Sequence, residues 1–274
     1  MLNRVIGSIA IVILVITLSA PAAIAQRGQP GARGNAAAPG PPHEAHDLSG
    51  IWLPQGGGGG AGTATQWKRE ALPPMTPEGL AKMKANIPAK GPKGVVPAKA
   101  NDPIGDANPP GLLRTLLYNR PFEFIPRPDK VLQVFEWTNH WRQIWTDGRK
   151  VPTPEDAGPF WYGYSVAKWE GDTFVVETVG LDSREWLDDW GVPFSESLRL
   201  QERWRRLDRD NLELTIRVDD PKMFTQPWVS DKKMFRLQPK DSPDGELLEV
   251  IFAPIDEKAF NENVRDPAGG VVKK

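Results

Sequence analysis

The chain has 274 residues, with 34 Lys and Arg against 35 Asp and Glu and a formal net charge of −1. So even a balance argues against a polyanionic partner, and no nucleic acid is expected. Cysteine is absent, which excludes disulfides, thiol nucleophiles, cysteine-ligated zinc or iron–sulfur centres and thioether-linked haem.

At the N-terminus Arg4 precedes an apolar stretch from Val5 to Leu18, and Ala23-Ile24-Ala25 follows. A basic start, a short apolar core and an A-x-A site predict a secretory signal over residues 1–25, with cleavage before Gln26. The competing reading, an uncleaved anchor, needs about 20 apolar residues, and Ser19 and Pro21 shorten the run. With no cysteine to carry a lipid, the mature chain is expected to be periplasmic or secreted, with no membrane partner after cleavage. Residues 26–46, rich in Gly, Ala and Pro, read as a disordered tether.

A single domain is expected over residues 47–268, carrying a loop and helix insertion at about 55–118. It opens with a strand-like entry at Asp47–Trp52. Thr76 as N-cap and Pro77 at the first helical position predict a helix with Leu80, Met83 and Ile87 on one face, weakened by Gly79. From Phe122 onward short alternating runs are separated by turn signals. Val131–Trp137 and Trp141–Thr146 form one predicted pair, and Tyr162–Trp169 and Thr173–Val179, joined through Gly171, a second. Leu198–Leu207 with Leu212–Val218 and Lys232–Gln238 with Leu247–Phe252 follow, then a short helix over Glu257–Val264. In the strand at 212–218 the residues Leu212, Leu214, Ile216 and Val218 share one face. The fold class is all-β: an antiparallel up-and-down meander that closes into a barrel to remove its edges, with one or two short helices. A two-layer sandwich is the rival architecture.

The stretch Trp161–Gly180, containing Trp169-Glu-Gly-Asp-Thr-Phe-Val-Val-Glu-Thr178, resembles a family of secreted proteins of soil bacteria to which no activity is assigned. Trp145–Arg149, Glu202–Arg206, Asp220–Lys222 and Pro227–Asp231 fit the same pattern, and the resemblance spans about 47–267. This chain lacks the cysteines that relatives often have near Ala107 and Phe252, and has Phe194 where they often have His. More remotely, Gly50-Ile51-Trp52 is similar to the Gly-x-Trp of lipocalins, which implies a lipocalin-like barrel.

Only three histidines occur, and His140 alone lies in the predicted folded part, so no metal site and no cofactor are expected. His140 and Arg142, two apart on a strand, share a face. Glu177, Glu202 and Glu136 interrupt apolar faces. Buried carboxylates of this kind serve acid–base chemistry or ion pairs with the many arginines. His140, Arg142, Glu177 and Glu202 are therefore the candidate catalytic set, with ion pairing as the structural alternative.

Eleven tryptophans are present, and such rings either fill a core or line a cavity. Trp145, Tyr162, Tyr164, Trp169, Trp186, Trp190 and Trp204 are the candidate ligand-binding residues, and Asp182–Trp190 reads as a loop over the barrel mouth. The functional expectation is an exported protein that binds a small hydrophobic or aromatic molecule in a Trp-rich barrel cavity. The alternatives are a lipocalin-like hydratase, isomerase or lyase, and a cell-envelope interaction module.

Overall fold

The computed structural model describes residues 43–55, 72–106, 108–243, 245–249 and 261–265, all within one compact unit, Pro39–Lys274. The predicted signal and most of the predicted tether lie outside them.

Ten strands occur among the described residues: β1 (Gly50–Pro54), β2 (Phe122–Pro126), β3 (Lys130–Phe135), β4 (His140–Trp145), β5 (Tyr164–Glu170), β6 (Thr173–Val179), β7 (Arg199–Arg206), β8 (Asn211–Asp219), β9 (Trp228–Val229) and β10 (Lys233–Leu237). Neighbours from β1 to β9 pair in chain order. β10 then pairs with β1 (Trp52 opposite Leu237) and with β8 (Phe235 opposite Leu212), which closes a nine-strand barrel and leaves β9 on the far half of β8. The all-β barrel is thus present, and the sandwich is not. Lys233–Leu237 makes the closure, whereas Leu247, Leu248 and Glu249, expected to begin its hairpin partner, form no strand. Residues 250–252 lie outside the description.

Nine is an odd number, and a closed ring with an odd number of strands cannot alternate direction at every step. The one parallel joint is β4–β5, with Ile144 opposite Ser165 and Trp145 opposite Val166. A parallel joint needs a crossover connection. Residues 146–163, with the short helix α3 (Pro154–Ala157), make it.

Strand alternation separates core from surface. On β8 Leu212, Leu214, Ile216 and Val218 are all fully buried, as the period of two predicts. Inside the barrel Trp204 meets Phe122, Phe124 and Phe235 with ring centroids 5.2–5.7 Å apart. Trp52, from the Gly-Ile-Trp segment, is fully buried, donates from Nε1 to the Leu48 carbonyl at 2.9 Å, and lies under the Arg206 guanidinium. Strand directions place the two ends of the insertion between β1 and β2, and the 136–139, 180–198 and 220–232 connections, at one common end of the barrel. There α2 (Leu112–Leu117) is buried at every position, with its four leucines in the main hydrophobic cluster.

The helix expected after Thr76 forms as α1 (Pro77–Ala85), and Thr76 Oγ1 accepts from the Gly79 amide at 3.0 Å. Its buried face is not the predicted one. Leu80 and Ile87 are exposed, and Gly79 is the buried residue. A Cβ on Gly79 would sit 2.2 Å from the Met223 carbonyl oxygen, so the glycine that weakens the helix also permits its docking. Gly79→Ala is expected to lower stability by about 1–3 kcal/mol through overpacking, although alanine is the better helix former by about 1 kcal/mol. A shift of the urea midpoint to higher concentration would contradict this account.

Candidate functional site

Three places in the barrel gather polar side chains. The first is inside it. Alternation turns Gln133 of β3, Arg142 of β4, Ser165 of β5, Thr178 of β6 and Glu202 of β7 inward. Arg142 binds both carboxylate oxygens of Glu202, with Nη1 at 2.8 Å and Nη2 at 2.6 Å, and donates Nε to Gln133 Oε1 at 2.8 Å. Trp204 Nε1 donates to Glu202 Oε2 at 3.0 Å, and Ser165 links Arg142 Nη1 to Thr178. Glu202 is fully buried and Arg142 nearly so. A planar guanidinium matches a carboxylate at two points, so this is a cross-barrel brace.

The second is a surface groove of about 790 Å³ formed mainly by the β4–β5 crossover, lined by Asp147, Arg149, Lys150, Phe160 and Tyr164 among others. Gly148, with φ of 83°, lets the chain turn after β4. The turn brings Arg149 back over the Trp145 indole, 3.6 Å from the ring centroid. Arg149 donates Nε to Asp147 Oδ1 at 2.9 Å and Nη1 to the Tyr164 hydroxyl at 2.9 Å. The hydrogen bonds that Asp147 accepts from Arg149 hold its carboxyl below the ordinary range. Phe160 is 53% exposed at the groove.

The third lies at the α2 end of the barrel, where Glu185 of the β6–β7 connection is 2% exposed. Neither of its oxygens has a hydrogen bond among the described residues. Around it Gly111, Leu112, Leu113, Trp161, Leu187 and Phe194 help to enclose a crevice with room for about one water molecule, roughly 10 Å³. Burial pushes the Glu185 carboxyl up to about 8, against the partial counter-pull of Arg114. Arg114 grips Asp102 with two hydrogen bonds of 2.8 Å and also meets Asp189 at 3.3 Å.

The candidate catalytic residues do not converge on one point. Arg142 and Glu202 form the interior brace. His140 stacks on Tyr162 with centroids 5.2 Å apart, and Glu177 sits on the outer face, accepting from Gln201 Nε2 at 2.5 Å. Glu136 is buried just past β3, 3.5 Å from Arg120. The candidate ligand-binding rings also disperse. Trp204 is in the core, Tyr164 lines the groove, Trp145 stacks with the groove residue Arg149, and Trp186 helps to line the crevice. Trp169 stacks on His46 at 4.3 Å, so this end of the predicted tether is held to the barrel. Trp190 lies against Gly91, where a Cβ would come within 2.7 Å of its ring.

One expectation changes here: the strand expected over Tyr162–Trp169 begins later, at Tyr164. Tyr162 and Tyr164 do not share a strand face, because Gly163 adopts φ of 66° and β5 begins only at Tyr164. Tyr162 is buried against Phe135 and contacts Thr115 Oγ1 at 3.1 Å, while Tyr164 faces Arg149. Glu185, the most perturbed carboxyl, was hidden within the Asp182–Trp190 loop among several acids. Its only sequence signal is a charged residue directly before Trp186-Leu187.

The brace predicts a mutational pattern. Arg142→Met strands the buried Glu202 charge and is expected to cost about 3–5 kcal/mol. The Arg142→Met, Glu202→Leu double variant should recover most of that loss in urea unfolding. A double variant no more stable than the single one would contradict the brace.

Among the described residues no group of three or more His, Asp or Glu side chains is placed to hold a metal, and no helix is long and apolar enough to cross a membrane. No family model, curated protein or solved structure matches this chain.

Proposed function

We propose that the protein is an exported β-barrel binder of a small aromatic molecule, which it takes up in the groove formed mainly by the β4–β5 crossover. The observation that carries this reading is the composition of the groove. It combines an exposed ring at Phe160, a phenol at Tyr164, and a guanidinium fixed by stacking on Trp145. Its volume falls in the range of small-molecule sites, about 300–1,000 Å³. The barrel interior, by contrast, is occupied by Trp204 and the phenylalanines packed on it. The expected Trp-rich ligand site is therefore proposed outside the barrel core rather than within it. Export rests on the signal read from residues 1–25 and on the resemblance to secreted proteins.

In this arrangement a ligand ring packs on Phe160, and a polar acceptor on the ligand meets Arg149 or Lys150. Arg149 has five N–H donors, and Asp147 and Tyr164 take three of them. Removal of a charge-assisted hydrogen bond costs about 1.5–3 kcal/mol, or roughly 10- to 150-fold in affinity.

Intrinsic tryptophan fluorescence titrated with benzoate, indole-3-acetate, 2-naphthoate and a medium-chain fatty acid tests the reading. At least one aromatic acid should quench saturably, with affinity falling at least about tenfold in Arg149→Ala and the signal largely lost in Trp145→Phe. The proposal fails if no aromatic compound quenches, or if Phe160→Ala and Arg149→Ala both leave the titration unchanged.

A further inference from the structure

The cations around Glu185 are engaged by other carboxylates, and neither Glu185 oxygen has a hydrogen bond among the described residues. The charged groups acting on it are Arg114 from α2, Asp102 from the connection between α1 and α2, and Asp182 and Arg184 from its own loop, with Asp189 and Lys90 reaching this set through Arg114. Arg114 pairs with Asp102 and Asp189, Lys90 with Asp189 at 3.0 Å, and Arg184 with Asp182 at 2.6 Å. Asp188 accepts the backbone amides of Trp190 and Val192. Glu185 lies 3.8 Å from Arg114 Nη1, beyond hydrogen-bond distance, with its stem against Gly111 at the start of α2.

The same loop packs on α2 and contributes Leu181, Leu187, Val192, Phe194 and Leu198 to the main hydrophobic cluster. Asp189 meets Arg114, Trp186 packs under the Arg114 guanidinium, and Leu187 and Phe194 join Leu112 and Leu113 around the crevice. At its far end Asp220 accepts from both the amide and the hydroxyl of Ser195. An ionised Glu185 inside this packing would be a buried carboxylate with no hydrogen bond, competing with Asp102 and Asp189 for one guanidinium.

We propose that residues 181–198 form a proton-held clasp, closed on α2 while Glu185 carries its proton and released when Glu185 ionises. The inference is independent of the groove and of what the groove binds. The surface that release uncovers is apolar, made by Leu112, Leu113, Trp186 and Phe194.

The direction follows from linkage. In the closed state the Glu185 carboxyl is raised from 4.5 to about 8 by burial, and in water it returns to its ordinary range. Between those values the closed state holds one proton more than the open one. Closure is fully favoured below about pH 4.5, weakens as pH rises, and its proton-linked part is lost once pH passes about 8. Within that window the opening constant should rise about tenfold per pH unit.

Hydrogen exchange of the full chain, read by mass spectrometry at several pH values from 5 to 9 and corrected for intrinsic exchange, tests the clasp. Protection of 181–198 should fall by about tenfold per pH unit up to about pH 8, while β7 and β8 keep theirs. Glu185→Gln should abolish the dependence, and Glu185→Met serves the same purpose if the glutamine variant does not fold. A flat wild-type profile, the same slope in the neutral variant, or a loss shared with β8 would overturn the proposal.

Discussion

Closure of the sheet by Lys233–Leu237 is the constraint on which the other features depend. That five-residue strand lies between β1 and β8, so the first and eighth strands have no free edge along its length. Its insertion makes the ring nine strands rather than eight, and an odd ring requires a parallel joint. The joint at β4–β5 in turn needs a chain segment that travels back along the barrel, and that segment supplies most of the groove's lining. The candidate binding site is thus a by-product of how the barrel closes.

Inside the ring two kinds of interaction share the space. Trp204, Phe122, Phe124 and Phe235 fill one part with edge-to-face and tilted ring contacts. Arg142 and Glu202 cross another part, with Gln133, Ser165, Thr178 and the Trp204 indole N–H arranged around them. Such a pair adds little net stability compared with apolar replacement of both partners, but is costly to break from one side. A barrel packed in this way keeps its interior for its own side chains. Recognition is left to the connections, where the exposed ring of Phe160 and the stacked cation of Arg149 are found.

Several local features were legible because their cause is local. Thr76 followed by Pro77 identified the start of α1, since an N-cap needs only its own amides. The hairpin through Gly171 was readable for the same reason. The buried face of α1 was not, because Gly79 meets Met223, far away in sequence. Tyr162 and Tyr164 looked like strand neighbours until the left-handed Gly163 separated them. Glu185 was the hardest to see. Its unusual state comes from Gly111 and Arg114 on α2 and from the prior engagement of Arg114 by Asp102 and Asp189, none of which local spacing reveals.

By itself the sequence determined the all-β class, most strand and turn positions, the lack of cysteine chemistry and the polar–apolar alternation of β8. Each of these depends on residue type and on periods of two to four residues. The tertiary structure alone decided the strand count of the closed ring, the parallel joint, the partner of each buried charge, and which rings fill the core. Those outcomes depend on pairings across tens to more than a hundred residues, such as Trp52 with Leu237 and Arg142 with Glu202. Their energies exist only once closure has brought the strands together.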